Sequence, residues 1–316
     1  MDGFDISTGL APPSPDPELE SVFRDVLNRD PDGERFARVF RATFDQLYDG
    51  QRTGRYRWDQ LFKTEKTHFG TLIEINLQRE FEFDDGRVLD FKISGVEVDC
   101  KYSFREGGWM LPPESWGHII MVAIADDEVS EWSVGLVRVR PEYLREGRNR
   151  DGKSGLNGPG RAAIRWIFRR TGFSPNVLLQ LPSAKVESLM SIRSGQRRVD
   201  ELFRIAEGRR IHRNAIATVA QQSDYMKRVR YNGGSRSNLR PEGFLIASGD
   251  FSVHRRIAEA FGGPVPRDGE VVSFRVAPAS RDDVVAVELQ GQRWRRIREG
   301  DAARGPSPLM PRLYES

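Results

Sequence analysis

The stretch Leu89–Phe104 reads LDFKISGVEVDCKYSF. Apolar and polar residues alternate on both sides of Ser94-Gly95, the period of a half-buried strand. A two-residue loop containing glycine is a favoured hairpin connection, and it fixes the register. Ile93 then faces Val96, Lys92 faces Glu97, Phe91 faces Val98 and Asp90 faces Asp99. The pleat places Leu89, Phe91, Ile93, Val96, Val98 and Cys100 on an inner face, and Asp90, Lys92, Glu97, Asp99 and Lys101 on the other.

Directly opposed side chains have Cβ atoms about 5 Å apart, and like charges so placed destabilise a sheet. A divalent cation between Asp90 and Asp99 offsets that repulsion. Two carboxylates suit magnesium, which takes one or two carboxylates, water and substrate phosphate. Lys101, two residues beyond Asp99, shares their face and is placed to hold a water or neutralise a phosphate. Aspartate followed by aspartate-x-lysine on the next strand is the core of the PD-(D/E)xK nucleases. The plainer alternative is a solvated strand face with incidental charges.

The chain has 316 residues, enough for two domains with buried cores. No run approaches the ~20 apolar residues of a membrane helix. The N-terminus has neither a basic nor an apolar leader region. One cysteine excludes an internal disulfide and, with four histidines, argues against structural zinc. A cytoplasmic, reducing setting is expected. Net charge is +3, but it is unevenly spread. Residues 1–150 carry 20 Lys/Arg against 29 Asp/Glu, and residues 151–316 carry 29 against 17. An acidic half with a metal site beside a basic half suits catalysis coupled to polyanion binding.

Residues 1–15 are expected to be mobile. Helices are expected from Pro17 and from Glu34, the second ending at Gly50. Its end reads Leu47-Tyr48-Asp49-Gly50, similar to the K-Y-D-G box of DNA ligases with leucine where their lysine stands. Leucine offers no nucleophile for an adenylate, which disfavours ligase chemistry. In the following loop Arg52, Arg55 and Arg57 interleave with Tyr56 and Trp58, a composition suited to phosphate contact. A helix starting at Thr64 carries Phe69, Leu72, Ile73, Leu77 and Phe81 on one face, with Glu74 at its edge as a further carboxylate candidate. Strands are expected over 118–125 and 131–140, a short helix over AAIRWIFRR (162–170) and a strand over VLLQLP (177–182). Beyond these, a helix over 195–211, two short helical segments and several strands suggest a winged helix-turn-helix. Its second short helix would present Lys227, Arg228 and Arg230 to DNA, with Arg236 and Arg240 behind it. A purely structural basic segment is the alternative.

Taken together, TEKTHFGTLIEIN, VLDFKISGVEVDCKYS, WMLPPES, GQRRVDELFR and IATVAQQSDYMKRVR resemble the NaeI family of restriction endonucleases over nearly the whole chain. The resemblance implies an α/β (α+β) fold. An endonuclease domain of PD-(D/E)xK type with a mixed central sheet would occupy 1–168, and a linker 169–175. A winged-helix domain similar to catabolite activator and topoisomerase modules would occupy 176–316. It also implies Glu74, Asp90, Asp99 and Lys101 as the catalytic set, the three carboxylates as metal ligands, and Mg2+ as cofactor. The Leu47 box is likewise a family feature.

By the same resemblance the activity would be type IIE restriction. A homodimer would cut double-stranded DNA at a GC-rich palindrome, GCCGGC, stimulated by a second DNA site bound to the C-terminal domain. Two rivals differ in what they predict. A structure-specific repair nuclease would give damage-dependent nicks rather than discrete bands. A non-enzymatic winged-helix regulator would be indifferent to Asp99.

Overall fold

The computed structural model describes residues 16–298, 300–301 and 305–311. The segment 1–15, expected to be mobile, lies outside them. Helices α1 (Pro17–Arg29), α2 (Glu34–Tyr48), α3 (Gly50–Thr53) and α4 (Lys63–Phe81) precede strands β1 (Asp84–Asp85), β2 (Phe91–Ile93), β3 (Val96–Tyr102), β4 (Ile119–Asp126) and β5 (Glu131–Arg138). Helix α5 (Gly158–Ala162) and strand β6 (Arg165–Gly172) follow, then α6 (Val177–Gln180), α7 (Ser183–Ser191) and α8 (Gly195–Ile205). Strand β7 (Arg210–His212), α9 (Arg213–Ala220), α10 (Ser235–Asn238), β8 (Phe244–Ser248), α11 (Ser252–Ala260), β9 (Glu270–Pro278), β10 (Val287–Leu289) and β11 (Gln292–Arg296) complete the order.

The chain groups into two compact units. The first holds the described residues up to Phe36, Glu74–Ile124 and Ser133–Thr171; the second holds Ala37–Ile73, Ala125–Trp132 and the chain from Gly172 onward.

In the first unit the sheet runs β1-β2-β3-β4-β5-β6 and mixes antiparallel and parallel pairs. The hairpin register is the expected one: Phe91 pairs Val98, Lys92 pairs Glu97 and Ile93 pairs Val96. Ser94 and Gly95 both have positive φ, 50° and 80°. A turn of that kind matches the right-handed twist of the flanking strands. Next to the hairpin, β3 and β4 run parallel, with Asp99 beside Ile120 and Lys101 beside Val122. Strand β4 is buried along nearly its whole length, as a central strand covered on both faces should be. Trp109, Leu111, Ile120, Val122, Val137, Val139, Leu156 and Ile164 form one core cluster here. A second is aromatic. Phe81 packs 4.4 Å from Phe36 and 5.3 Å from Phe83, and Phe83 packs 5.3 Å from Phe91. This chain of rings locks the end of α4 to the start of the hairpin. It thereby fixes which way Glu74, two turns before Phe81, is turned.

Three expected elements are otherwise; the helix expected over 195–211 stops at Ile205, and Arg210 and Ile211 belong to β7. AAIRWIFRR was expected to be a helix, but it is mostly strand: a five-residue α5 ends at Ala162 and β6 begins at Arg165. Trp166, Ile167 and Phe168 are aromatic and β-branched residues that suit a pleated surface. VLLQLP, expected to be a strand, is helix α6, started by Asn176 accepting from Leu178 N–H at 3.1 Å. It ends where Leu181 precedes Pro182, a residue pair that disfavours helix. Residues 169–172, expected in a linker, complete β6.

In the second unit, β9 is the spine. It pairs antiparallel with β7, β8 and β11, and β10 extends the sheet beyond β11. Period-2 alternation along β8 makes two cores. Phe244 and Ile246 join Val199, Phe203, Ile216 and Val219 of α8 and α9; Leu245 and Ala247 join Ile257 and Ala258 of α11. Buried Arg198 on α8 donates to the carbonyls of Val219, Ala220 and Ile192, closing the C-terminal end of α9. Gln221 then turns the chain with φ 51°. The segment expected to be the second short helix, and to carry Lys227, Arg228 and Arg230, is a five-residue 3-10 turn, Tyr225–Val229. Such turns stay short because their hydrogen-bond geometry is poorer than that of an α-helix.

Candidate active site

Asp99 lies on β3 and is 3% exposed. Asp90 lies one residue before β2, opposite it by extension of the ladder. The Asp90 Oδ2 accepts from Cys100 N–H at 2.8 Å. The Lys101 ammonium bonds Asp99 Oδ1, donates to Cys100 O at 3.0 Å, and stands 3.5 Å from Asp90 Oδ2. The polar face of the hairpin is therefore a pair of carboxylates bridged by one cation. The other Asp99 oxygen, Oδ2, is buried and has no hydrogen-bond partner. Leaving a buried charged acceptor unmade costs its desolvation. Burial, reinforced by Asp90, raises the Asp99 carboxyl to about 7 against the pull of Lys101. The Lys101 ammonium, although burial opposes its charge, is held protonated above its ordinary value chiefly by Asp99.

Glu74 on α4 is within electrostatic reach of Asp90 and Lys101, and burial followed by the Asp90 charge raises its pKa. Asp90, Asp99 and Lys101 therefore come to one place, and Glu74 is felt there only electrostatically. Among the described residues, however, no three Asp, Glu, His or Cys side chains converge into a metal cage. Two aspartates with one orphaned oxygen and a neighbouring carbonyl still fit magnesium, which keeps several waters and needs only one or two carboxylates. Glu74 stands outside that pair.

The basic residues divide differently. Arg55 is engaged in a two-pronged pair with Glu65, both bonds 2.8 Å. Arg228 is paired with Asp224 at 3.1 Å. Arg236 is half-buried and donates to Ile246 O at 3.3 Å, and the Nε of Arg240 is buried. Arg52 is 81% exposed, though it pairs with Asp49, and Lys227 is 66% exposed. Arg230 is exposed as well. Those three are the freest cations of the expected set.

In the ligase-like box, Leu47 and Tyr48 are buried and Asp49 adopts φ 47°. A Cβ on Gly50 would fall 2.0 Å from Thr218 Oγ1, so only glycine permits this approach to α9. The box borders a cavity of about 310 Å³ whose walls include Asp45, Tyr48, Gly50, Asn214, Thr218 and Tyr225. Among the described residues neither lysine nor arginine lines it.

One network was not visible in the sequence. Buried Arg41 bonds both oxygens of buried Asp127 and pairs with Asp45 at 2.9 Å, while Asn214 donates to Asp45 at 2.5 Å. Arg41 and Asp127 are 86 positions apart, so neither spacing nor pattern links them.

The family model described as Restriction endonuclease NaeI matches residues 20–305. The Type II restriction enzyme NaeI of Lentzea aerocolonigenes is 50% identical over 306 residues, covering 94% of this chain and 96% of that protein. A mixed α/β chain with this kinship is a type II site-specific deoxyribonuclease. It belongs to the NaeI restriction endonuclease family.

Proposed function

We propose that the chain hydrolyses both strands of DNA at a specific site in a magnesium-dependent reaction centred on Asp90, Asp99 and Lys101. The observation that carries this is the buried, partnerless oxygen of Asp99, opposed by Asp90 and flanked by Lys101. Asp90 and Asp99 would hold the ion. Magnesium so bound supplies Lewis acidity toward the scissile phosphate and a water of lowered pKa. The Lys101 ammonium, which is fixed by Asp99, orients the attacking water and stabilises charge developing on the phosphate. Glu74, apart from the aspartate pair, orients a water or binds a second ion. The hairpin and its helix would make a PD-(D/E)xK centre.

The finer reading follows kinship and the basic second half. The enzyme would work as a cytoplasmic homodimer on GCCGGC, the chain through the end of β6 at Gly172 cutting, 173–175 linking and 176–316 binding a second copy of the sequence in winged-helix fashion. Its DNA contacts would come from Arg52, Lys227 and Arg230 before the engaged Arg55, Arg228 and Arg236 and the half-buried Arg240. Among the described residues no helix is long and apolar enough to cross a membrane. The test is a plasmid digest with magnesium and with EDTA. Discrete fragments ending within GCCGGC, absent with EDTA, are expected. Acceleration of a one-site plasmid by an added GCCGGC duplex would support the effector site; an unchanged rate would remove it.

A further inference from the structure

Glu97 lies on β3, two residues before Asp99, and pairs across the ladder with Lys92. Its carboxylate, however, bonds elsewhere. It accepts from Arg87 N–H at 2.9 and 3.2 Å, from Val88 N–H at 3.2 Å and from Leu89 N–H at 3.1 Å. Three successive backbone donors thus converge on one side chain, and they hold its pKa below the usual carboxylate range. Hydrogen bonds to an ionised acceptor are among the stronger ones.

These three residues lead directly into Asp90. Asp90 precedes β2, so it lies beyond the last rung of the hairpin ladder. Its backbone is held on one side by Phe91 in the ladder and on the other by the loop that Glu97 gathers. The loop is closed by Gly86 N–H to Asp90 O at 3.4 Å. Val88 at its tip is 65% exposed, so of the three residues only Leu89, 9% exposed, is anchored by packing.

We propose that Glu97 is a positioning residue that sets the Asp90 carboxylate for the metal. The proposal rests on the two-aspartate magnesium site argued above. Glu97 contacts neither substrate nor ion; it acts through the backbone of residues 87–89. Outer-shell partners of metal ligands are worth about 10- to 100-fold in metal affinity or activity when removed.

The test uses E97Q and E97A of the full chain, with D99A in parallel. Amide hydrogen exchange of residues 87–89 is followed without metal, and initial cleavage rate is followed against magnesium concentration. E97A is expected to speed exchange at those amides alone. It should raise the half-saturating magnesium concentration about tenfold or more, with near-parental rate at saturation. E97Q keeps one acceptor oxygen and should fall between. Unchanged magnesium demand, with or without faster exchange, would overturn the proposal, as would a loss of rate that saturating magnesium does not restore. An active D99A would instead overturn the underlying site reading, whatever Glu97 does.

Discussion

The hairpin Phe91–Tyr102 and the segment Tyr225–Arg240 both concentrate charge on a few residues, yet the structure uses that charge in opposite ways. In the hairpin, burial exceeds satisfaction. Asp99 is 3% exposed, and one of its oxygens has no partner while Lys101 serves the other. In the second segment most of the charge is paired within the chain, although the Nε atoms of Arg228 and Arg240 are buried without a partner. Arg228 is bonded to Asp224, Arg236 to a backbone carbonyl, and the segment itself is gathered by Asp200, which accepts from Ser235 at 2.6 Å and Asn238 at 2.9 Å. A charge buried without its full complement of partners is held against its own solvation. A charge already paired within the chain is building structure. Counting arginines cannot separate the two; counting their partners can.

The sharpest way to break the comparison is to remove the unsatisfied charges. K101A is expected to lower the cleavage rate about 10²–10³-fold, the cost of one lost transition-state donor, and D99A by at least as much. Binding of a GCCGGC duplex in calcium, measured by gel shift, should survive both. Near-parental cutting by either variant would place the chemistry elsewhere. By contrast, the buried ion pair Arg41–Asp127 should report on stability. D127A leaves a buried guanidinium with reduced compensation and is expected to cost about 3–5 kcal/mol in denaturant unfolding. A cost below about 1 kcal/mol, the range of exposed pairs, would show that the network is not buried as described.

The hairpin also makes a signed prediction about pH. The folded Asp99 carboxyl titrates at about 7, against an ordinary value of 3.8. Below the ordinary value both folded and unfolded chains are protonated there. As pH rises from about 4 to about 7 the unfolded chain ionises first, so the metal-free protein loses stability over that window. D99N should flatten this loss in a pH series of Tm. Cleavage runs the other way. If the ionised form holds the cation, as proposed, the rate at limiting magnesium should climb through pH 7, and excess magnesium should move its midpoint to lower pH. A midpoint insensitive to magnesium would separate the titration from metal binding.

How much of this could be read from the sequence follows the same division. The register of the hairpin was legible because a two-residue turn and strict alternation leave one solution. The α4 stripe was legible because Phe69, Leu72, Ile73, Leu77 and Phe81 recur at helical spacing, and all five are buried. Strand β6 and helix α6 were not legible, since a short apolar run fits either element until tertiary contacts choose. The salt bridges of Arg55 with Glu65 and of Arg41 with Asp127, and the Glu97 cradle, depend on where the backbone brings groups together. No periodicity encodes that.

The smallest expected effect tests the other half of the comparison. If only unengaged cations meet DNA, the basic residues should differ in their contribution to the salt dependence of binding. Each phosphate contact contributes a slope of about 0.9 in log K against log salt concentration. Lys227 is 66% exposed, with Asp224 no nearer than 3.8 Å, and Arg230 is exposed. Replacing both with alanine removes two contacts and should make the slope shallower by about 1.8. Arg55 and Arg228 are each committed to a carboxylate. Replacing them frees Glu65 and Asp224, whose negative charges would weaken binding slightly without removing a phosphate contact, so the slope should hold. The measurement is fluorescence anisotropy of a GCCGGC duplex in calcium over a salt series. Equal slope changes in the two double variants would mean that the internal pairs exchange their carboxylates for phosphate on binding, and partner-counting in the free chain would then fail as a guide to its DNA surface.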